Sequence, residues 1–176
     1  VLGIPMSRLR VIKPRLGGGF GTKQEILLED LVALATMRTG RACEIELSRK
    51  EEFVSARTRH PMKIDMTIGC DRQGNFGALK MYVLSNTGAY GTHSLTVMSN
   101  TGSKTLPLYN KARDVRFFGD AVYTNLPVPG AYRGYGATQG YFALECTIDD
   151  LAVKLGMDPI ELRKKNMIRV GEGSPI

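Results

Sequence analysis

The stretch MKIDMTIGCDRQGNFGALKMYVLS, residues 62–85, decides the fold. Met62, Ile64, Met66 and Ile68 alternate with Lys63, Asp65, Thr67 and Gly69, the two-residue period of a strand with one buried and one solvated face. Asp71-Arg72-Gln73-Gly74-Asn75 has turn composition, and Phe76 to Ser85 returns as a second strand. The two runs predict a β-hairpin. Met62, Met66 and Met81 fall on its strands and are expected to fill core space.

Upstream, Leu9 to Pro14 (LRVIKP) alternates apolar and basic residues and reads as a strand. A glycine-rich turn follows, Gly17-Gly18-Gly19-Phe20-Gly21. From Gln24 to Thr39 the apolar residues Leu27, Leu28, Leu31, Val32, Leu34 and Ala35 recur at helical spacing, and Gly40 offers a C-terminal stop. Ala42 to Leu47 reads as a strand. Ser48 with Glu51 forms a capping box for a short helix through Arg57. Downstream, residues 86–112 are rich in Gly, Ser, Thr and Asn and read as an irregular segment, of the length that serves a site or a partner. Val115 to Thr124 is expected as a strand, Ala131 to Gly140 as a second glycine-rich turn, and Tyr141 to Leu155 as a helix closed by Gly156. Asp158-Pro159 opens a last helix, Asp as N-cap and Pro at the first helical position. Strands and helices mix without strict βαβ alternation, so the fold class is α+β, in one segment over residues 1–176.

Composition sets the outer limits. Among 176 residues, 43% are hydrophobic and 23% charged, the balance of a globular chain with a real core. No run approaches the ~18 apolar residues of a membrane helix. Cys43, Cys70 and Cys146 are odd in number and widely spaced, which argues against a disulfide framework or zinc site and for a reducing, cytoplasmic setting. The net charge of +7 raises nucleic acid as a partner. The basic clusters near the two ends, however, lack the interleaved aromatics of a base-stacking surface, so neither nucleic acid nor membrane is expected. Arg163, Lys164 and Lys165 sit where a helix C-terminus favours cations. The chain opens on Val1 rather than Met, as expected for a fragment or processed product.

The candidate chemistry lies in the two glycine turns, both expected between a strand and a helix. Glycines let backbone N–H groups approach a ligand, and a helix N-terminus beyond adds partial positive charge, an arrangement suited to an anion. Nucleotide fingerprints fail in the first turn, because Thr22 stands where both G-x-G-x-x-G and the Walker pattern need glycine. A tight structural connection fits that turn as well as a ligand cradle does. The second turn, AYRGYGATQG, sets Arg133 and Gln139 among glycines, beside Tyr132 and Tyr135. Arginine there can reach an anionic group and tyrosine can stack on a flat ring; the alternative is an exposed ion pair for Arg133 and packing for the tyrosines. His60 and His93 have no nearby ligand pair, and His60 is read as leading into a strand fixed by Pro61. Glu145, Asp149 and Asp150 are expected on a solvated helix face.

Five motifs occur in order: GGGFGTKQ, TRHP, SNTGAY, AYRGYGATQG and MDPIELRKKN. The series, from Arg10 to Gly171, resembles the molybdopterin-binding large subunit of the xanthine dehydrogenase and aldehyde oxidase family, the molybdenum hydroxylases. Gln24-Glu25 after Lys23 is most similar to bacterial xanthine dehydrogenase-like subunits. The resemblance implies a molybdenum-cofactor-binding fold and an internal fragment of a longer subunit. By the same resemblance Gly18, Gly19, Phe20 and Gly21 form the loop at the molybdenum centre, with Phe20 at its tip. Arg133 is the arginine near the metal, catalytic in role, and Gln139 belongs to the cofactor side. Tyr135 takes the place of a substrate-stacking phenylalanine. Gln24 falls where relatives that oxidise xanthine carry a glutamate, and an amide cannot carry that charge.

The implied reaction is hydroxylation of a heteroaromatic or aldehyde carbon with water as oxygen source. The molybdenum cofactor does the hard step, and iron–sulfur clusters and FAD sit on partner subunits or domains. The family's catalytic glutamate lies beyond Ile176, so this segment alone is not expected to turn over. Two other readings are a stand-alone module binding a nucleotide or other anion, and a structural remnant of the fold.

Overall fold

The computed structural model describes residues 2–174; Val1, whose identity suggested a fragment, lies outside them. The hairpin forms as expected. Strand β1 (Met62–Cys70) pairs antiparallel with β2 (Phe76–Asn86), Ile64 opposite Val83 and Met66 opposite Met81. The pairing slips at Cys70, where Asp71 closes the turn by accepting the amides of Gln73 and Asn75. Hydrogen bonds from Asn75 hold the Asp71 pKa below its usual range. Strand β3 (Asp114–Val122) lies parallel to β2 on the far side, giving the order β1-β2-β3 and a mixed sheet. A parallel neighbour needs a crossover, and helix α3 (Ser94–Ser103) supplies it.

Helices α3 and α4 (Ala137–Leu155) cover the inner face of the sheet. Leu79, Met81 and Val83 of β2 meet Leu144 and Ile148 of α4, with Leu106 and Tyr109 closing the core. Met62 and Met66 are partly buried against it, so all three hairpin methionines do fill core space. Helix α5 (Pro159–Asn166) opens on the expected cap, Asp158 accepting the amides of Ile160 and Glu161. It is locked to the hairpin turn by the buried Asn166, which accepts the Phe76 amide at 2.8 Å and donates to the Gly74 carbonyl at 2.8 Å. Glu145 is not on a solvated face: it accepts from Tyr109 at 2.8 Å and pairs with Arg163, which also reaches Asp149. Burial and that bond push the Tyr109 phenol pKa up.

Several local expectations change. Residues 9–14 and 42–47 are irregular and not strands, because no neighbouring strand is present to take their backbone hydrogen bonds. Helix α1 runs only over Glu29–Thr39, ended by Gly40 in the left-handed conformation. The Glu29 carboxylate folds back onto the amides of Leu27 and Leu28 and starts the helix there, five residues late. Helix α2 (Arg49–Ser55) has the expected capping box, Ser48 and Glu51 bonding reciprocally. Residues 86–112 are not wholly irregular, since α3 and a 3-10 turn (Leu106–Tyr109) lie within them. Their polar side chains bond back along the chain, Thr101 to the Val97 carbonyl and Thr105 to that of Thr101, so the helix packs with its hydroxyls satisfied.

Small residues allow α3 and α4 to touch. A Cβ on Gly140 would lie 2.1 Å from the Thr101 carbonyl oxygen. Gly140→Ala is therefore expected to cost about 1–3 kcal/mol, read as a lower urea midpoint at unchanged m-value. His60, buried just before β1, lies 3.2 Å by Nε2 from the Thr92 carbonyl, while its buried Nδ1 has no partner. Burial holds its pKa below the ordinary 6.5. Below that pH the unfolded chain takes up a proton that the fold disfavours, so stability is full above pH 6.5 and declines toward the depressed folded-state pKa. Urea midpoints of the intact protein between pH 7.5 and 5 should fall, and His60→Gln should flatten that decline.

Candidate cofactor cleft

The two glycine turns, more than a hundred residues apart in sequence, meet backbone to backbone. Gly21 has φ +95, and a Cβ there would stand 2.9 Å from the Ala131 carbonyl carbon. Only glycine permits that approach. Between the turns opens a cleft of about 540 Å³, lined by Phe20, Gly21 and Gln24 from the first and residues 131–135 from the second. The Arg133 guanidinium sits 5.5 Å from the centre of the Phe20 ring and has no carboxylate partner among the described residues. No backbone bond engages the amides of Phe20, Gly21, Arg133 or Gly134 among the described residues.

Three non-glycine residues among those described have positive φ: Phe20 (52), Tyr135 (44) and His93 (57). Two line the cleft and the third bonds to it. Such conformations cost of order 1–3 kcal/mol and persist where surroundings hold them. For His93 and, through it, Tyr135, the holding group is Glu25. Its carboxylate lies 2.7 Å from Arg57 Nε and 2.9 Å from His93 Nε2, with a side chain only 12% exposed. His93 Nδ1 in turn bonds the Tyr135 hydroxyl. Burial, then the Glu25 charge, raises the Tyr135 pKa, so the phenol keeps its proton.

Arg59 holds the second turn from behind. It donates to the Arg133 carbonyl at 2.7 Å, bonds the Thr138 hydroxyl, and stacks 4.6 Å over the Tyr132 ring. The structure thus brings together Phe20, Gly21, Gln24, Arg133 and Tyr135. Gly18 and Gly19 do not line the cleft; their Cα positions face the Phe20 ring and the Lys23 side chain. Gln139 lies within α4, not in a turn, and donates to the His60 carbonyl at 3.1 Å beside a separate groove along β1. The first turn is also not followed directly by a helix, since α1 starts eight residues after Gly21, whereas the second runs straight into α4.

Sequence reading missed Glu25, Arg57, Arg59 and His93. Arg57 and Arg59 carried a signal: two cations spaced by two on an extended stretch, so they share a side. Glu25 and His93 carried none, because their partners are about thirty or more residues away.

An unpaired guanidinium, unengaged amides and aromatic rings in one cleft fit a flat group bearing anionic oxygens. Fold and cleft define the class: an α+β domain whose two glycine turns meet to form a cleft. The chain belongs to the molybdopterin cofactor-binding domain family, whose profile matches residues 1–167. It is 44% identical over 176 residues to the xanthine dehydrogenase molybdenum-binding subunit of Escherichia coli O157:H7, covering 99% of this chain and 23% of that relative. It is 33% identical to the large molybdopterin subunit of nicotinate dehydrogenase from Eubacterium barkeri, covering 97% of this chain and 40% of that one. The solved aldehyde oxidoreductase of Desulfovibrio gigas superposes with TM-score 0.83 at 35% identity, over 91% of this chain and 18% of that one. The chain therefore spans about a quarter of the xanthine dehydrogenase subunit it matches.

Removing the Glu25 charge leaves Arg57 without its carboxylate in a mostly buried site. Glu25→Gln is expected to cost about 3 kcal/mol, the lower end for a broken buried pair, because Arg57 keeps 20% of its side chain in solvent. A calorimetric melting shift of the intact protein measures it.

Proposed function

We propose that this chain is part of a molybdenum hydroxylase large subunit and forms one wall of its molybdopterin pocket. The observation that carries the reading is the meeting of the two glycine turns, which sets the unpaired Arg133 against Phe20, Gln24 and Tyr135. When bound, the molybdenum cofactor supplies water-dependent hydroxylation of a heteroaromatic or aldehyde carbon. The chain's own residues bind and orient. Arg133 is the cation for anionic oxygens of the cofactor, at the molybdenum side of the pocket together with Phe20. The free amides of Phe20 and Gly21 add neutral donors to the same site.

Toward the substrate, Gln24 offers a neutral amide that donates and accepts, and Tyr135 offers a ring face for stacking. Both suit a flat, small heterocycle, and xanthine itself is disfavoured because Gln24 cannot exchange a proton. Gly18 and Gly19 belong to the cofactor loop and Gln139 to the cofactor side, and in this chain they stand behind the cleft lined by Phe20, Gln24, Arg133 and Tyr135. Proton removal falls to a residue outside this chain.

The reading also accounts for an open surface. The chain exposes 12128 Å², where a compact monomer of this mass exposes about 8,500 Å². No described residue before His60 is buried, and Leu31, Leu34, Met37 and Phe53 are exposed. The remainder of the subunit, with iron–sulfur and FAD components beyond it, would cover such a surface. The test uses the intact gene product purified from its source. Arg133→Ala is expected to reduce molybdenum content or turnover at least about tenfold, the scale of losing a charged anion donor. Unchanged metal content and unchanged turnover would overturn the role of Arg133.

A further inference from the structure

We propose that His93 is a positioning residue that holds the Tyr135 ring against the cleft through the tyrosine hydroxyl, so that it sets affinity for ring-shaped substrates. The assignment rests on the reading of the cleft given above. His93 does not line the cleft; it stands behind Tyr135, with the two rings edge-on at 5.6 Å and 80°.

Both residues have positive φ, a backbone state in which neither side chain is comfortable, and the imidazole–phenol bond links them. The histidine is itself oriented. Glu25, the neighbour of Gln24, lies 2.9 Å from Nε2 and is itself paired with Arg57 at 2.7 Å. With the proton on Nε2, the neutral ring presents Nδ1 as an acceptor, and the protonated phenol donates to it. The ring that walls the cleft therefore cannot swing about its side-chain bonds without breaking a bond to His93. A chain of contacts thereby ties the substrate-side ring of one glycine turn to the carboxylate of the other.

The consequence is specific to substrates that stack. Freeing the ring weakens binding of a flat heterocycle and leaves a ringless aldehyde unaffected. It also acts on binding more than on the chemical step. Asparagine places a polar atom where Nδ1 lies and tolerates positive φ. Glutamine reaches toward Glu25 but leaves the Nδ1 position empty.

The experiment uses the holoenzyme purified from its source. A panel of xanthine, quinoline, nicotinate and acetaldehyde is assayed, and the best heteroaromatic is carried forward. His93→Gln, His93→Asn, Tyr135→Phe and His93→Gln/Tyr135→Phe are compared by KM, kcat, molybdenum content and equilibrium dialysis of that heteroaromatic. His93→Gln and Tyr135→Phe should each raise KM and Kd about fivefold, the worth of one hydrogen bond, with kcat within about twofold. The double variant should be no worse than either single one, His93→Asn should restore affinity, and acetaldehyde KM should not move. Additive effects in the double variant, or an equal rise in acetaldehyde KM, overturn the assignment while molybdenum and wild-type turnover stand. A wild-type protein without molybdenum or turnover on the whole panel overturns the underlying reading as well.

Discussion

The Glu25 carboxylate is the interaction on which the cleft depends. It lies four residues past the first glycine turn, takes Arg57 from the stretch before β1, and takes His93 from the start of α3. Through His93 it reaches Tyr135 in the second turn. Four segments with no contact in sequence are thus joined at one ionised group. A carboxylate this far from solvent, with a side chain only 12% exposed, needs such partners, because its desolvation is offset only by charge and hydrogen bonds. Gly130 shows how tight the junction is, since a Cβ there would lie 2.8 Å from a Glu25 oxygen.

The frame beneath is the β2-centred sheet with α3 and α4 laid across it. Close packing of those helices, backbone against backbone at Gly136 and Gly140, fixes where α4 begins. Since the second turn runs directly into α4, the same packing fixes where Arg133 and Tyr135 stand. Arg59 then ties the turn's carbonyl to the segment entering β1. The cleft side is therefore irregular loop held on regular elements, the arrangement in which loops carry sites on a rigid scaffold.

The two halves of the chain are unequal in how they are held. After His60 there is a continuous core; before it, the described residues contribute no buried side chain. The first glycine turn nevertheless reaches the site, because Gly21 and Glu25 touch the well-packed half. Its partners are the second turn, Arg57 and His93, and not a core of its own.

Local signals were legible in the sequence wherever the physics is local. The period-two hairpin, the capping box of Ser48 and Glu51, the Asp158-Pro159 start and the stops at Gly40 and Gly156 need only neighbours within a few residues. The ordered motifs pointed to the cofactor family and to Phe20, Gln24, Arg133 and Tyr135 as companions in one cleft. Tertiary structure alone decided the rest. Residues 9–14 and 42–47 have strand patterns but no partner strand, while α3 is a helix of weak propensity made stable by burial. Gln139 carries a motif position yet faces His60, because the helix starts four residues early and turns it away. The Glu25–His93–Tyr135 chain had no signature at all, since ion pairs and hydrogen bonds across long loops depend on distances that only the folded backbone sets.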